Sequence, residues 1–270
     1  MVGTQVMLAG TQVAPRAHRE RMADRASDYF EVFVNSQAAR PDAAERTLLP
    51  RVTVTTQRVI PRSQVRWAGS QRKDTAIVGS DLDMCVESAE PVTEALRRGL
   101  RAALQAGLGR EAVIRTHVVR VAAGGGVARL DIAFATAVFG SRPLPEIGAF
   151  SGHPGRQTAA RALKLWTRQG RLPRVGAWAW EAVVVHLDAP SRRDGLELFL
   201  RVVGWLDTAT PASIEGVLRH ANHGHWNPVW SPDLPGTLEA LRNHAKVLQR
   251  RFPAPEGWQS PTDAGVWLCG

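Results

Sequence analysis

Gly69-Ser70-Gln71-Arg72-Lys73-Asp74-Thr75-Ala76-Ile77-Val78-Gly79-Ser80-Asp81-Leu82-Asp83-Met84 decides how this chain is read. It follows Gln64-Val-Arg-Trp-Ala68, which alternates apolar and polar like a strand. Residues 81–87 alternate again. In a strand, successive side chains point to opposite faces, so Asp81 and Asp83 share one face while Leu82 and Met84 take the other, towards a core. Two carboxylates held side by side repel unless a cation sits between them. Hard oxygen donors of this kind suit magnesium or manganese. Gly69-Ser70, at the end of the first strand, can turn the chain and present backbone N–H groups and a hydroxyl to a phosphate. Glycine suits such a turn because the phosphate must come close to the backbone.

An Asp-x-Asp pair alone is more often a solvated strand face than a metal site, and a Gly-Ser pair alone means nothing. Here they come together, and a third acid joins them. Pro91 opens a helix with Leu96, Leu100 and Leu104 on one face, closed by Gly107 or Gly109. Residues 113–121 and 127–134 then read as the arms of a hairpin about Gly124-Gly125-Gly126. Its second arm sets Asp131 between Leu130 and Ile132. If that arm neighbours the 81–87 strand, three acids converge into a two-metal site.

Outward from this centre, residues 15–40 read as one helix, with Met22, Ala26, Tyr29, Phe30 and Phe33 at helical steps. After about residue 150 the pattern becomes helical throughout: 157–169, 177–187, 195–206, 212–221 and 235–251. The expected domains are therefore residues 1–150, a catalytic α/β lobe with a long N-terminal helix, and residues 151–270, a helical lobe.

The pattern resembles the DNA polymerase beta-like nucleotidyltransferase signature: an apolar residue, Gly-Ser, a spacer, then Asp-apolar-Asp-apolar. Within that superfamily it is similar to the branch of oligoadenylate synthases and the bacterial oligonucleotide synthases related to cyclic GMP-AMP synthase. Thr75 matches a threonine common in the branch's spacer, and Asp74 stands where glycine is frequent. Arg161-Ala-Leu-Lys164-Leu-Trp166 resembles the branch's helix whose lysine meets a triphosphate. Ala177-Trp178-Ala-Trp180-Glu181 resembles its Ser-Tyr-x-Leu-Glu helix. The resemblance spans roughly residues 60–190.

It implies a mixed β-sheet with flanking helices, followed by a mostly helical C-terminal lobe, with the nucleotide cleft between them. Asp81, Asp83 and Asp131 would be the catalytic metal ligands for two Mg2+ or Mn2+ ions. Gly69, Ser70, Lys164 and Trp178 would bind the nucleotide. Ala177 replaces a serine that helps to hold phosphate. Trp178 replaces a tyrosine and could still stack on a base, because stacking needs only a π-face. Trp180 reads as core, and Glu181 as a structural partner for a basic residue. Lys164 is one of three lysines in a chain whose other 31 basic residues are arginine, which argues for a compact charge near phosphate.

The implied reaction moves NMP from an NTP substrate to a hydroxyl and releases pyrophosphate. The acceptor stays open. The branch points to a second nucleotide and a cyclic or linear oligonucleotide signal. An RNA or tRNA 3′ end, or a small-molecule hydroxyl, are the alternatives, and an inactive nucleotide- or RNA-binding module is the non-enzyme reading. The net charge of +9 suits polyanions, including RNA as activator or acceptor. It divides into +5 over residues 1–150 (20 basic, 15 acidic) and +4 over 151–270 (14 basic, 10 acidic), so no basic arm is expected to follow an RNA backbone.

His220, His223 and His225 have spacing that can bind zinc, with His244 or Cys269 as a fourth ligand. They also read as an ordinary polar loop. No Walker loop or dinucleotide fingerprint occurs, against kinase-like and dehydrogenase-like readings. Two distant cysteines, no apolar span and no signal-peptide pattern lead to an expectation of a cytoplasmic protein without a membrane segment.

Overall fold

A computed structural model describes residues 16–115, 118–136, 147–169, 172, 175–188, 194–221, 233–251 and 257–270. The chain begins with α1 (Arg16–Ser36), α2 (Ala43–Arg46) and α3 (Leu48–Val59). Then come β1 (Gln64–Trp67), α4 (Gly69–Arg72), β2 (Leu82–Ser88), α5 (Glu94–Leu108), β3 (Ala112–Ile114), β4 (Val118–Val121) and β5 (Leu130–Thr136). Helices follow to the end: α6 (Ile147–Phe150), α7 (Pro154–Gln169), α8 (Ala177–Leu187), α9 (Gly195–Thr208), α10 (Pro211–Ala221), α11 (Leu234–Arg251) and α12 (Pro261–Cys269). The expected fold class is what the structure has: a mixed five-stranded sheet with helices, then a helical C-terminal part.

The sheet runs β1-β2-β5-β4-β3. β2 and β5 are parallel neighbours, and the other pairs are antiparallel. The expected hairpin exists between β4 and β5, but its first arm divides. β3 and β4 are separate strands that pair with each other, and the Arg115 N–H donates to the Val118 carbonyl at 2.8 Å where the chain reverses. α5 is capped by the Thr93 hydroxyl and ends at Gly109, left-handed at φ 65°, where a side chain would be strained.

Burial along β2 alternates without a break: Leu82, Met84 and Val86 are buried, while Asp81, Asp83, Cys85 and Glu87 are half-buried. The apolar face packs with Leu48 and Val52 of α3, Leu100 and Leu104 of α5, and Ile132 of β5. The other face is left for polar chemistry. A second core forms among the C-terminal helices, and α1 belongs to it. Phe30 meets Phe199 at 5.5 Å and Trp267 at 6.4 Å between ring centroids. The N-terminal helix thus precedes the sheet in sequence but packs on the helical side, because its Ala26-Phe30-Val34 stripe is buried there.

No helix among the described residues is long and apolar enough to cross a membrane. Cys85 and Cys269 form no disulfide, and burial pushes the Cys269 thiol up to about 11. His223 and His225 lie outside the described residues, and the zinc reading with them.

Candidate active site

Pairing of β2 with β5 sets Asp83 directly opposite Asp131. Neighbouring strands stand about 4.8 Å apart, so these acids share one patch of the sheet's polar face. Asp81 lies one pleat before Asp83 on the same face. Burial, and then the charges of Asp131 and Asp81, push Asp83 up to about 6. Three hard oxygen donors on one face, two of which raise the proton affinity of the third, fit a divalent cation.

The acids are not gathered into a finished cage. Arg129 holds Asp81, and Arg120 grips Asp131 with both ends of its guanidinium, at 2.8 and 2.7 Å. Among the described residues no three such side chains are already clustered as metal ligands. The two strands are neighbours, as convergence would require, while two of the three carboxylates are turned onto arginines. Arg120 is the β4 partner of Asp131, so Asp83, Asp131 and Arg120 form one row across three strands.

Gly69 adjoins this row. Its φ is +54°, and a Cβ built there would fall 2.1 Å from Asp83 Oδ2. Only glycine can take that backbone conformation and also leave room for the carboxylate. The Ala68 N–H donates to the Asp83 carbonyl at 2.8 Å, fixing the turn to β2. Ser70 is half-buried on α4, and among the described residues its hydroxyl has no hydrogen-bond partner. Asp74, where the resembled branch prefers glycine, is left-handed at φ 55°. Aspartate tolerates that region better than most residues.

Lys164 has a different setting from the one expected. It is buried, and its ammonium donates to Glu181 Oε1 at 2.7 Å, Thr75 Oγ1 at 2.9 Å and the Thr75 carbonyl at 3.0 Å. Its three N–H donors are thus engaged within the protein. Lys73 pairs with the other oxygen of Glu181, and the Thr75 hydroxyl also donates to that carboxylate. Burial alone would raise Glu181, but Lys164 and Lys73 more than offset this and hold it at about 2. Burial outweighs Glu181 at Lys164, whose pKa is lowered. The expectation that Glu181 pairs a basic residue across helices is met, twice over. Lys164 and Glu181 both act on the charge of Asp83, so the network adjoins the acids.

Trp178 is half-buried at the start of α8, against the helical core. α8 also touches α4, bringing its helix beside Gly69-Ser70. Arg168, one turn beyond Lys164 on α7, is exposed and donates to the Val78 and Gly79 carbonyls at 2.7 and 3.1 Å, just before Asp81.

No family model matches the chain, and no curated protein matches it. Solved structures do. The chain is similar to a cytoplasmic RNA terminal U-transferase with a TM-score of 0.66 at 11% identity, over 91% of this chain and 98% of that one. Cid1 in complex with its short product ApU gives 0.62 at 12%, over 86% and 97%. The Cid1 poly(U) polymerase with Mg 3′-dATP bound gives 0.61 at 12%, over 86% and 96%. The chain shares its fold with these U-transferase and poly(U) polymerase structures.

Within that fold, Arg120, Arg129, Arg168 and Lys73 are the residues that sequence reading did not reach. Arginine makes up 31 of 34 basic residues, so no single arginine stands out. Alternation was the one available signal for Arg120, since it lies between buried Val119 and Val121 as Asp131 lies between Leu130 and Ile132.

Proposed function

We propose that this protein is a metal-dependent nucleotidyltransferase that moves NMP from an NTP to the 3′ hydroxyl of an RNA and releases pyrophosphate. The observation that carries the reading is the pairing of Asp83 with Asp131, with Asp81 on the same face and Gly69 in contact with Asp83. Asp81, Asp83 and Asp131 would hold Mg2+ or Mn2+. Two such ions, when bound, neutralise the leaving pyrophosphate and lower the pKa of the attacking hydroxyl.

The chain's own residues would do the positioning. Gly69 and Ser70 offer a backbone turn and a free hydroxyl to the NTP phosphates. Arg168 is an exposed cation on the Val78-Gly79 turn just before Asp81. Lys164 would support the same phosphates through its charge, or by giving up one internal bond. Trp178 would stack on the base. Glu181 holds Lys73, Thr75 and Lys164 in place, and so anchors the spacer between Gly69 and Asp81.

The similarity to terminal U-transferases supports an RNA acceptor over the oligonucleotide signal suggested by the Lys164 and Trp178 helix motifs. The test is incubation with each NTP and Mg2+, with and without a single-stranded RNA. Lengthened RNA is the expected product. A short oligonucleotide made equally well without RNA would return the acceptor to a second nucleotide.

A further inference from the structure

On the β3–β4 side of the acids lies a groove of about 610 Å3, lined by Gly79, Asp81, Arg115, Arg120, Ala128 and Arg129, with Glu111 and others. Three guanidiniums reach it, from β4 and from the segments beside β3 and β5. Arg129 and Arg120 are the two that hold Asp81 and Asp131, and both remain partly exposed, at 42% and 31%. Arg115 is exposed, and among the described residues no carboxylate pairs with it.

Gly69 and Ser70 follow β1, on a helix that contacts β2 and α8, whereas Glu111, Arg115 and Arg120 bring the β3–β4 edge of the sheet to this groove. An in-line displacement needs the attacking hydroxyl and the leaving pyrophosphate on opposite sides of the reacting phosphorus.

We propose that the groove is the acceptor site, that it binds the phosphate backbone of a single-stranded RNA next to its 3′ end, and that Arg120 and Arg129 are handed over from carboxylate to phosphate. This rests on the nucleotidyl-transfer reading of the acids. Without metal, each arginine neutralises one carboxylate that would otherwise crowd its neighbours. When Asp81 and Asp131 turn to a divalent cation, both guanidiniums lose their partner. They already line the groove, and a guanidinium fits phosphate by the same two-pronged geometry that fits carboxylate. Arg115 is available in either state and supplies the first contact. The acceptor would thus be gripped fully only by metal-loaded protein.

Four predicted consequences differ in sign from a purely structural role. The probes are Mn2+ alone, followed by its paramagnetic resonance signal, and a fluorescent single-stranded RNA ending in a 3′-deoxynucleotide, which cannot react. For the wild type, Mg2+ at constant ionic strength should tighten RNA binding several-fold. Arg120→Gln and Arg129→Gln should bind Mn2+ more tightly, because a competing cation is gone. In Mg2+ the same variants should bind RNA about tenfold more weakly, as expected for one lost charge-assisted contact each, and respond less to Mg2+ because each keeps only one arginine to hand over. Arg115→Gln, an exposed change that leaves the ion pairs intact, should weaken RNA binding, reduce its salt slope by about one, and leave Mn2+ affinity unchanged. RNA affinity unaltered in all three variants, or weakened in wild type by Mg2+, would overturn the proposal. NMP transfer by wild type with no arginine effect also defeats it. The full binding pattern without transfer from any NTP would uphold the groove and defeat the transfer reading instead.

Discussion

Asp83 of β2 faces Asp131 of β5 across a parallel strand pair, so an acid some fifty residues away in sequence helps to make the environment of Asp83 unfavourable for a charge.

The first prediction follows from that environment. Asp83 has its pKa raised to about 6, by burial and then by Asp131 and Asp81. A raised carboxyl pKa means that the folded state binds this proton more tightly than the unfolded one. The Asp83 contribution to the stability of the metal-free protein should therefore be fully present below the ordinary aspartate value and be lost as pH rises through about 6, by at most roughly 3 kcal/mol. Asp83→Asn should remove this fall, keep the protein folded at neutral pH, and abolish transfer. Urea melts in chelator across the range, with turnover in Mg2+, check both halves. A variant with near wild-type turnover removes Asp83 from the metal site.

Gly69→Ala should be much worse than its size suggests. The change meets a left-handed φ and a clash with Asp83 Oδ2. Gly125→Ala is the control: its φ is also positive, at 61°, but nothing lies within 4 Å of the added Cβ. Both should lose about 1 kcal/mol from the backbone term, whereas only Gly69→Ala should lose Mn2+ affinity and transfer. Equal behaviour of the two would show that the Asp83 contact does not matter.

Glu181 anchors two buried lysines. Its folded pKa of about 2 lies below the unfolded value, so its contribution is present above about pH 4.5 and lost as pH falls towards 2. Glu181→Gln should cost about 3–5 kcal/mol, because it leaves Lys73 and Lys164 buried without a counter-charge. Adding Lys164→Met should recover part of that loss. Denaturant midpoints of the single and double variants test the coupling, and strictly additive losses would argue against a shared network.

Trp178 is half-buried at the start of α8, and stacking on a base would need its π-face alone. Trp178→Ala should raise KM for the NTP roughly five- to a hundredfold, matching about 1–3 kcal/mol per stacked base. Trp178→Phe should keep most of the affinity. Steady-state kinetics with a parallel melt separate binding from folding. An unchanged KM in a stably folded Trp178→Ala protein would return this residue to the core.

Much of the site was legible because its signals are local. Asp81-Leu82-Asp83-Met84 and Leu130-Asp131-Ile132 carry their strand period within a few residues, and the observed burial follows it. The helices α7 to α11 were legible for the same reason, since apolar steps of three and four are written in the sequence itself. α3 was not. Its run Val52-Thr-Val-Thr-Thr56 has the side chains of a strand, yet it is helical, with Leu48, Val52 and Thr56 buried on one face. Tertiary packing overrode propensity there.

By itself, then, the sequence determined which faces are apolar, which acids stand on polar ones, and that an α/β part precedes a helical part, because each follows from side-chain periodicity along a short segment. Only the tertiary structure decided that β2 lies beside β5 and not β4, that α1 joins the C-terminal core, and that Asp81 and Asp131 are held by Arg129 and Arg120. It also decided that Lys164 faces Glu181. Pairings of this kind depend on which distant segments pack together, and with 31 arginines in the chain no local pattern marks the ones that meet an acid.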